Sequence, residues 1–289
     1  MTSKTNEVAA IESRKRKYNL FHTISRGKNF IFEIFRLRKL LFDLSIREFK
    51  SGHFGSVLGV VWIFVEPMIF MYVMWFFFTK AMRFQPVGNY PFLPWLFCSM
   101  IMWQFFSGTC ISSANVFSSY SYLMKKPEIN LSILPLIKIL SSLYVHLIFI
   151  FLLIIMMFAS GISFSFYWFQ SLYYLFATCV LLIGISWITG SVSLFLQDTR
   201  NILGVLFQIG YWISPIFWDL NTYPEKYRVF MKLNPFYYII NGYRQSFIYQ
   251  KPFYEDTFSM IYFWSFTLVC ICLGIFTYKR LRPEFGDVI

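Results

Sequence analysis

A long apolar run that follows directly on a basic segment constrains this chain more than any other part of its sequence. Residues 57–78 carry a single charge, at Glu66, and about 20 apolar residues suffice to cross the ~30 Å hydrocarbon core of a bilayer. In the preceding segment, 28–50, two sets of residues recur at helical spacing on different faces: Leu37, Leu40, Leu41 and Leu44, and Arg36, Lys39, Asp43, Arg47 and Lys50. This pattern predicts a helix in the membrane interface, with its leucine stripe in the acyl boundary and its charges among headgroups.

The composition supports a membrane assignment for the whole chain. Of 289 residues, 57% are hydrophobic, 22% aromatic and only 14% charged, whereas soluble domains carry about a quarter charged residues. The net charge of +12 does not indicate nucleic-acid binding, because the Lys and Arg residues are concentrated before residue 57 and beside apolar runs. There they mark the cytoplasmic side of a membrane. We therefore expect membrane lipids, and no nucleic acid, among its partners.

The order of apolar and polar segments predicts an all-α, polytopic integral membrane protein with a single transmembrane domain over 1–289. Residues 1–27 form a cytoplasmic arm and 28–50 the interface helix. The six predicted transmembrane helices are 57–78, 94–116, 136–158, 172–196, 201–218 and 258–278. The connection 219–257 has apolar stretches too short to cross, which favours a re-entrant or interfacial hairpin on the extracytoplasmic side. The excess of Lys and Arg on one side places both termini in the cytoplasm.

No motif for catalysis, nucleotide binding or metal binding is present. The sequence has no phosphate-binding G-x-x-x-x-G-K-[ST] loop and no nucleophile elbow. The five cysteines lie in apolar spans, and the pair Cys270 and Cys272 has no His or second Cys pair nearby to complete a zinc site. We expect no catalytic residue, cofactor or metal on this chain.

Two ionisable residues lie within predicted spans, where such side chains are costly and often functional. Glu66 precedes Pro67, which removes a backbone donor. Glu66 either lines a solvated pathway or pairs with a neighbouring span. His146 either makes a structural hydrogen bond or belongs to a proton relay.

Aromatic residues recur in every span and allow two interpretations. Most belong to lipid-facing or interfacial belts, and a minority could stack on sugar rings along a substrate path. The candidates for the path, together with Glu66, are Trp62, Tyr72, Trp75, Trp103, Phe105, Tyr211 and Trp212.

Several stretches in a fixed order carry a family resemblance. They are FGSVLGVVWIFVEPMIFMYVMWFFF, LSILPLIKILSSLYVHL, QDTRNIL, SPIFW, MKLNPFYYIINGYR and RPEFGDVI. With these, the chain resembles the permease subunits of ABC-2-type polysaccharide exporters for teichoic acid, O-antigen and capsule, and most of all the wall teichoic acid branch.

The resemblance implies a homodimer in the bacterial cytoplasmic membrane that recruits two copies of a separate ABC ATPase. ATP and Mg²⁺ would bind that partner. The cargo would be a lipid-linked polysaccharide of the undecaprenyl-pyrophosphate type, most readily wall teichoic acid, with O-antigen or capsular polysaccharide as the alternative. It would cross between spans one, two and five, and the hairpin 219–257 would gate the exit.

The resemblance also implies roles for residues on the cytoplasmic side. The segment 117–131 would be a coupling helix in a cleft of the ATPase, and the alternative is a plain polar loop. Its contact candidates are Tyr120, Tyr122, Leu123, Met124, Lys125 and Lys126. Asp198 and Arg200 would make a second, smaller contact. The basic residues Arg38, Lys39, Arg47 and Lys50 would attract the pyrophosphate, or ordinary anionic lipid.

Two other classes remain open. A stand-alone channel or secondary transporter should show paired intramembrane charges or broken spans in matching halves. A membrane-embedded glycosyl- or lipid-modifying enzyme would need clustered Asp, Glu or His at an interface.

Overall fold

A computed structural model describes residues 30–51, 59–83, 90–124, 129–220 and 224–288. The side chains of residues 60, 63, 64, 66, 124 and 229 lie outside this description. The predicted cytoplasmic arm 1–27 lies outside the described residues as well.

The described part of the chain is helical and contains no β-strand. Residues 30–36 form a helical segment that continues, after a turn at Leu37, into the first of the numbered helices. These are α1 (Arg38–Ser51), α2 (Trp62–Phe76), α3 (Phe92–Ser113), α4 (Val116–Ser119), α5 (Ser121–Met124), α6 (Leu134–Ala159), α7 (Gln170–Phe195), α8 (Thr199–Ile213), α9 (Glu225–Lys232), α10 (Pro235–Arg244), α11 (Thr257–Leu281) and α12 (Phe285–Val288). A π-helical turn extends α2 over Phe77–Ala81, and another extends α10 over Gln245–Tyr249.

Three helical segments among the described residues are long and apolar enough to cross a membrane: Leu131–Ala159, Phe166–Phe195 and Thr257–Val288. They contain α6, α7 and α11, so the chain is a multi-pass membrane protein. The 22 residues of α3 reach about 33 Å at 1.5 Å per residue. The 15 residues of α8 reach only about 22 Å, and six spans therefore stay a prediction.

The helices α7 and α11 approach each other closely at two glycines. A Cβ atom on Gly274 would lie 2.5 Å from the carbonyl oxygen of Gly184, and one on Gly184 would lie 2.8 Å from the backbone nitrogen of Ile271. Lipid tails are as apolar as leucine, so helices in a membrane associate through close packing, and small residues permit it. These two glycines let the backbones touch.

The helix α3 lies at the centre of the main hydrophobic cluster. Sixteen of its 22 residues are buried, and Trp95, Leu96 and Phe106 are fully so. Around it pack α6, α10, α7 and α8. A central helix whose sides are covered by protein can hold polar groups away from lipid, and this matters for the site described below.

The leucine stripe of α1 does not lie in the acyl boundary, and the sequence interpretation was wrong in this respect. Leu41 and Leu44 are buried in a second hydrophobic cluster with residues of α4 and α6, and Ser45 shares a hydrogen bond of 2.8 Å with the hydroxyl of Tyr144. The stripe was assigned to lipid because helical periodicity shows that one face is apolar, but not what covers it. Other apolar side chains in and before α1 are exposed instead of the leucines: Ile31, Phe32, Phe35 and Phe42.

The helix α8 ends at Ile213, five residues before the end of the predicted span 201–218. Ser214 precedes Pro215, and proline disfavours helical geometry in the residue before it. The segment that follows is nevertheless buried: Ser214, Ile216 and Phe217 are all inaccessible. The fold thus inserts a non-helical stretch into protein, where its backbone groups can find partners.

Replacing Gly274 with Ala should destabilise the protein, because the added methyl group meets the carbonyl of Gly184. Overpacking of this kind costs about 1–3 kcal/mol. Thermal unfolding of the purified protein in detergent should show a lower Tm. The matched control is Gly108→Ala in α3, where a Cβ meets no atom within 4 Å and alanine favours the helix. An unchanged Tm for Gly274→Ala would contradict the close packing of α7 and α11.

Candidate functional site

A cavity of about 370 Å³ lies between α2, α3, α6 and α8. Its lining includes Pro67 and Phe70 of α2, Gln104 of α3, Phe149 of α6 and Gln208 of α8. The first, second and fifth predicted spans therefore share one cavity. Its volume lies within the ~300–1,000 Å³ range of small-molecule sites.

Aromatic rings from three helices form one wall of this cavity. The ring centroid of Trp103 lies 6.0 Å from that of Tyr211 and 6.3 Å from that of Phe207, and Phe70 lies 6.1 Å from Tyr211. These separations are typical of tilted and edge-to-face aromatic pairs. The wall is apolar, flat-sided and held in place by ring packing.

Neutral polar groups complete the lining. Gln104 and Gln208 are exposed in the described structure, and the hydroxyl of Ser107 bonds to the carbonyl of Trp103 at 2.8 Å. The hydroxyl of Tyr211 is buried and has no hydrogen-bond partner within the described part of the chain. No Asp, Glu, Lys, Arg or His is among the described residues that line this cavity.

A second cavity, of about 210 Å³, adjoins the first along α3 and α6. The two share Ile101, Gln104 and Phe149. The second is lined by the hydroxyl residues Thr109, Ser112 and Ser142 and by His146. We call the two adjoining cavities together the groove; its first part is lined by aromatic rings and its second by hydroxyl groups.

His146 is buried at the inner side of this groove. Its Nε2 atom lies 2.7 Å from the hydroxyl oxygen of Tyr243, and its ring stacks on Phe105 with centroids 4.6 Å apart. A hydrogen bond to a neighbouring helix is what the structural interpretation of His146 requires. The environment favours that interpretation over a proton relay.

The seven aromatic path candidates occupy different places. Trp103 and Tyr211 line the first cavity, and Phe105 lines the second. Trp62, Tyr72 and Trp212 are exposed, and Trp75 is half-buried against the main cluster. The side chain of Glu66 lies outside the described residues. Sequence reasoning missed Gln104 and Gln208, although an amide in an apolar helix is a signal it could have used.

An ionic cluster on the predicted cytoplasmic side joins α1, the connector and α6. The ammonium of Lys138 pairs with Oε1 of Glu48, and the hydroxyl of Tyr120 donates to Oε2 at 2.7 Å. Burial raises the pKa of Glu48, but the hydrogen bonds from Lys138 and Tyr120 and the charge of Lys138 outweigh it, so its pKa lies below the ordinary 4.5. Glu48 is therefore an anion that holds three segments together.

The residues predicted to contact the ATPase fall into a buried group and an exposed group. Tyr120 and Leu123 are buried, so they position the connector, whereas Tyr122 is 53% exposed. Asp198 and Arg200 are exposed at the start of α8. Lys125, Lys126 and the side chain of Met124 lie outside the described residues. Of the predicted coupling residues that the structure describes, Tyr122, Asp198 and Arg200 are therefore the ones exposed to a partner.

Similarity to known proteins decides the family. A family model described as ABC-2 type transporter matches residues 40–248, which is most of the chain. The chain belongs to the ABC-2 type transporter family. It is similar to an O-antigen export system permease protein RfbA of Klebsiella pneumoniae, with 24% identity over 254 residues that cover 86% of this chain and 96% of the relative. A permease of the same name from Myxococcus xanthus is 24% identical over 268 residues, which cover 89% of this chain and 98% of the relative.

The matched region of this ABC-2 chain contains a buried cation that sequence reasoning did not single out. Arg244, 3% exposed, donates from Nη1 to the carbonyl of Pro215 and from Nη2 to that of Ile216, both at 2.7 Å. Its guanidinium carbon lies 3.4 Å from the ring centroid of Trp95. Buried charge is costly unless it is hydrogen-bonded, and carbonyls and an aromatic face supply that compensation here. Arg244 thereby fastens the non-helical segment after α8 to α10 and α3.

The residues predicted to attract the pyrophosphate or anionic lipid lie at the surface of the protein. Arg38, Lys39, Arg47 and Lys50 are all exposed on α1, where they are accessible to headgroups. Their role stays a prediction. Among the described residues, no group of three or more His, Cys, Asp or Glu could hold a metal ion.

Replacing Glu48 with Gln should destabilise the protein by about 2 kcal/mol, because it leaves the largely buried ammonium of Lys138 without a counter-charge. The exposed Lys251–Glu255 pair supplies the control, Glu255→Gln, whose cost should stay below about 1 kcal/mol. Since the pKa of Glu48 is lowered on folding, its contribution is present above pH 4.5 and is lost as the pH falls through its folded value. Thermal unfolding across this pH range should show the Tm values of the wild type and of Glu48→Gln converging in acid. A difference in Tm that does not change with pH would contradict the assignment of Glu48 as the stabilising anion.

Replacing Arg244 with Lys should lower stability by about 2 kcal/mol although it preserves the charge. A single ammonium cannot reproduce the planar fork that reaches two carbonyls and stacks on Trp95. Arg280→Lys in the last turn of α11, where the side chain is exposed, is the control and should be near neutral. Equal Tm values for Arg244→Lys and the wild type in detergent would show that the fork is not needed.

Proposed function

We propose that this chain is the membrane subunit of an exporter that moves a lipid-linked polysaccharide across the bacterial cytoplasmic membrane. The observation that carries the proposal is the cavity between α2, α3 and α8 in an ABC-2 chain, whose described lining consists of aromatic rings, amides and other uncharged side chains. The permeases it resembles are named for O-antigen export. Energy would come from ATP bound with Mg²⁺ on a separate ABC ATPase, because the sequence has no phosphate-binding loop.

The proposed complex contains two copies of this chain and two ATPase subunits. Exposed amides at membrane depth are costly against lipid, so Gln104 and Gln208 favour a second copy that closes the groove into a path. Both termini would lie in the cytoplasm. The hairpin formed by α9 and α10 would lie at the outer side and gate the exit.

The proposed mechanism transmits ATPase closure to this path. Tyr122, Asp198 and Arg200 would contact the ATPase. The Glu48 cluster would make the connector, α1 and α6 move together, since the three segments share the half-buried carboxylate of Glu48. At the other end, Arg244 would carry a displacement of α8 to α10. The basic residues of α1 would attract the pyrophosphate of the cargo.

Two cargoes are candidates. Wall teichoic acid follows from the sequence resemblance, and O-antigen or capsular polysaccharide follows from the same resemblance and from the names of the relatives. Depletion of the protein in its own host should make the lipid-linked cargo accumulate on the cytoplasmic side, where mass spectrometry identifies the polymer. Accumulation of no lipid-linked polymer would contradict the proposal.

Affinity purification should recover an ATPase subunit with the chain, and Tyr122→Ala should reduce that recovery several-fold because it removes an exposed aromatic contact. Tyr254→Ala is the matched control, since Tyr254 is comparably exposed near the start of α11, on the predicted outer side. Solute movement by the purified chain alone would instead favour a stand-alone channel or secondary transporter.

A further inference from the structure

We infer that the cavity beside Gln104 and Gln208 is a binding site for uncharged sugar units, and that the exported polymer is neutral where it passes this point. The inference rests on the proposed export function and specifies the chemistry of its cargo.

The two amides are the first observation. Gln104 lies in α3, where the residues on either side of it in the sequence are buried and apolar. Gln208 lies in α8, whose outer face carries the exposed Val205, Leu206 and Ile209. A glutamine side chain has two N–H donors and a carbonyl acceptor. A sugar hydroxyl both donates and accepts, so it can satisfy either end of the amide.

The aromatic wall of the cavity is the second observation, and it is independent of the amides. The rings of Trp103, Phe207 and Tyr211 line the cavity side by side, with the centroid of Trp103 6.3 Å from that of Phe207 and 6.0 Å from that of Tyr211. Such rings offer apolar faces for the C–H side of a sugar ring.

The absence of charge among the described lining residues selects between cargo classes. A phosphodiester polymer carries one negative charge per repeat, and phosphate groups are recognised by Arg, Lys or clusters of backbone N–H groups. This cavity offers a phosphodiester neither Arg nor Lys in its described lining, and burial of an unpaired anion is strongly unfavourable. Sugar hydroxyls require only the neutral donors and acceptors that are present.

The strength of binding also fits a path. Conduction requires a site that binds well enough to admit the polymer and weakly enough to release it. Neutral hydrogen bonds contribute about 0.5–1.5 kcal/mol each. A few such hydrogen bonds would bind the polymer weakly enough for it to leave the site again.

The test uses the complex of this chain with its copurified ATPase in lipid vesicles, and the readout is ATP hydrolysis. Two probes share one undecaprenyl-pyrophosphate anchor: the first carries a neutral oligohexose and the second a poly(glycerol phosphate) chain. We expect the first to stimulate the wild type at a lower concentration. The double variant Gln104→Leu, Gln208→Leu should need about tenfold more of it. The control is Ile209→Leu, next to Gln208 and exposed on the outer face of α8, which should behave as the wild type does.

Charge substitutions separate the two cargo classes further. Gln208→Lys and Gln208→Glu should each weaken stimulation by the neutral probe, and Gln208→Asn should restore part of it. Stronger stimulation of Gln208→Lys by the phosphate probe, or a wild type that prefers that probe, would overturn the inference while leaving the export function intact. A wild-type complex that responds to neither probe would contradict the export function itself.

Discussion

Polar groups that are buried away from water must find partners within the protein, and this constraint explains the contacts of Arg244 and His146. In a hydrocarbon core no water is present to hydrogen-bond such groups. Arg244 therefore bonds to two carbonyls that are freed where α8 ends before Pro215, and His146 bonds to Tyr243. Gln104 and Gln208 stand out because they remain exposed on a cavity. Their exposure on this cavity fits the polar occupant that we propose.

The need to pair polar groups within the protein also explains the contacts of Glu48 and of Arg244. On the predicted cytoplasmic side, Glu48 accepts from both Lys138 and Tyr120, so α1 is tied to the connector and to α6. Near the end of α8, Arg244 ties an irregular segment to the central helix through Trp95. A membrane subunit driven from one side requires stiff connections of this kind, since a displacement is transmitted only through segments that move together.

Much of the helix order was predictable from the sequence, because apolar runs and breaker residues report it directly. The helix α7, for example, starts at Gln170 and ends at Phe195, beside the predicted limits 172–196. Which face of a helix meets protein was not predictable from periodicity alone, and the leucines of α1 were misplaced for that reason. Trp103 and Tyr211 were among the predicted path residues and do line the cavity, but Trp62, Tyr72 and Trp212 are exposed and do not line it. Aromatic residues serve in belts, cores and paths alike, so their identity does not separate these roles.

The cluster of Glu48, Tyr120 and Lys138 shows a second limit of the sequence. Tyr120 was expected to face an ATPase, and its burial against Glu48 depends on a contact between residues 72 positions apart. Arg244 is a similar case, since its partners lie 28 and 29 positions away along the chain. Pairings over such distances follow from the tertiary arrangement, which no local pattern encodes.

The central claim is that the polymer travels along the groove between α2, α3 and α8. The most direct measurement is photocrosslinking with a benzophenone side chain placed at Gln208 or, one residue on, at Ile209, in vesicles that hold the whole complex and a radiolabelled lipid-linked glycan. We predict crosslinks to the glycan at position 208 that depend on ATP, with crosslinks to lipid at position 209. Crosslinks to lipid alone at position 208, with or without ATP, would contradict it.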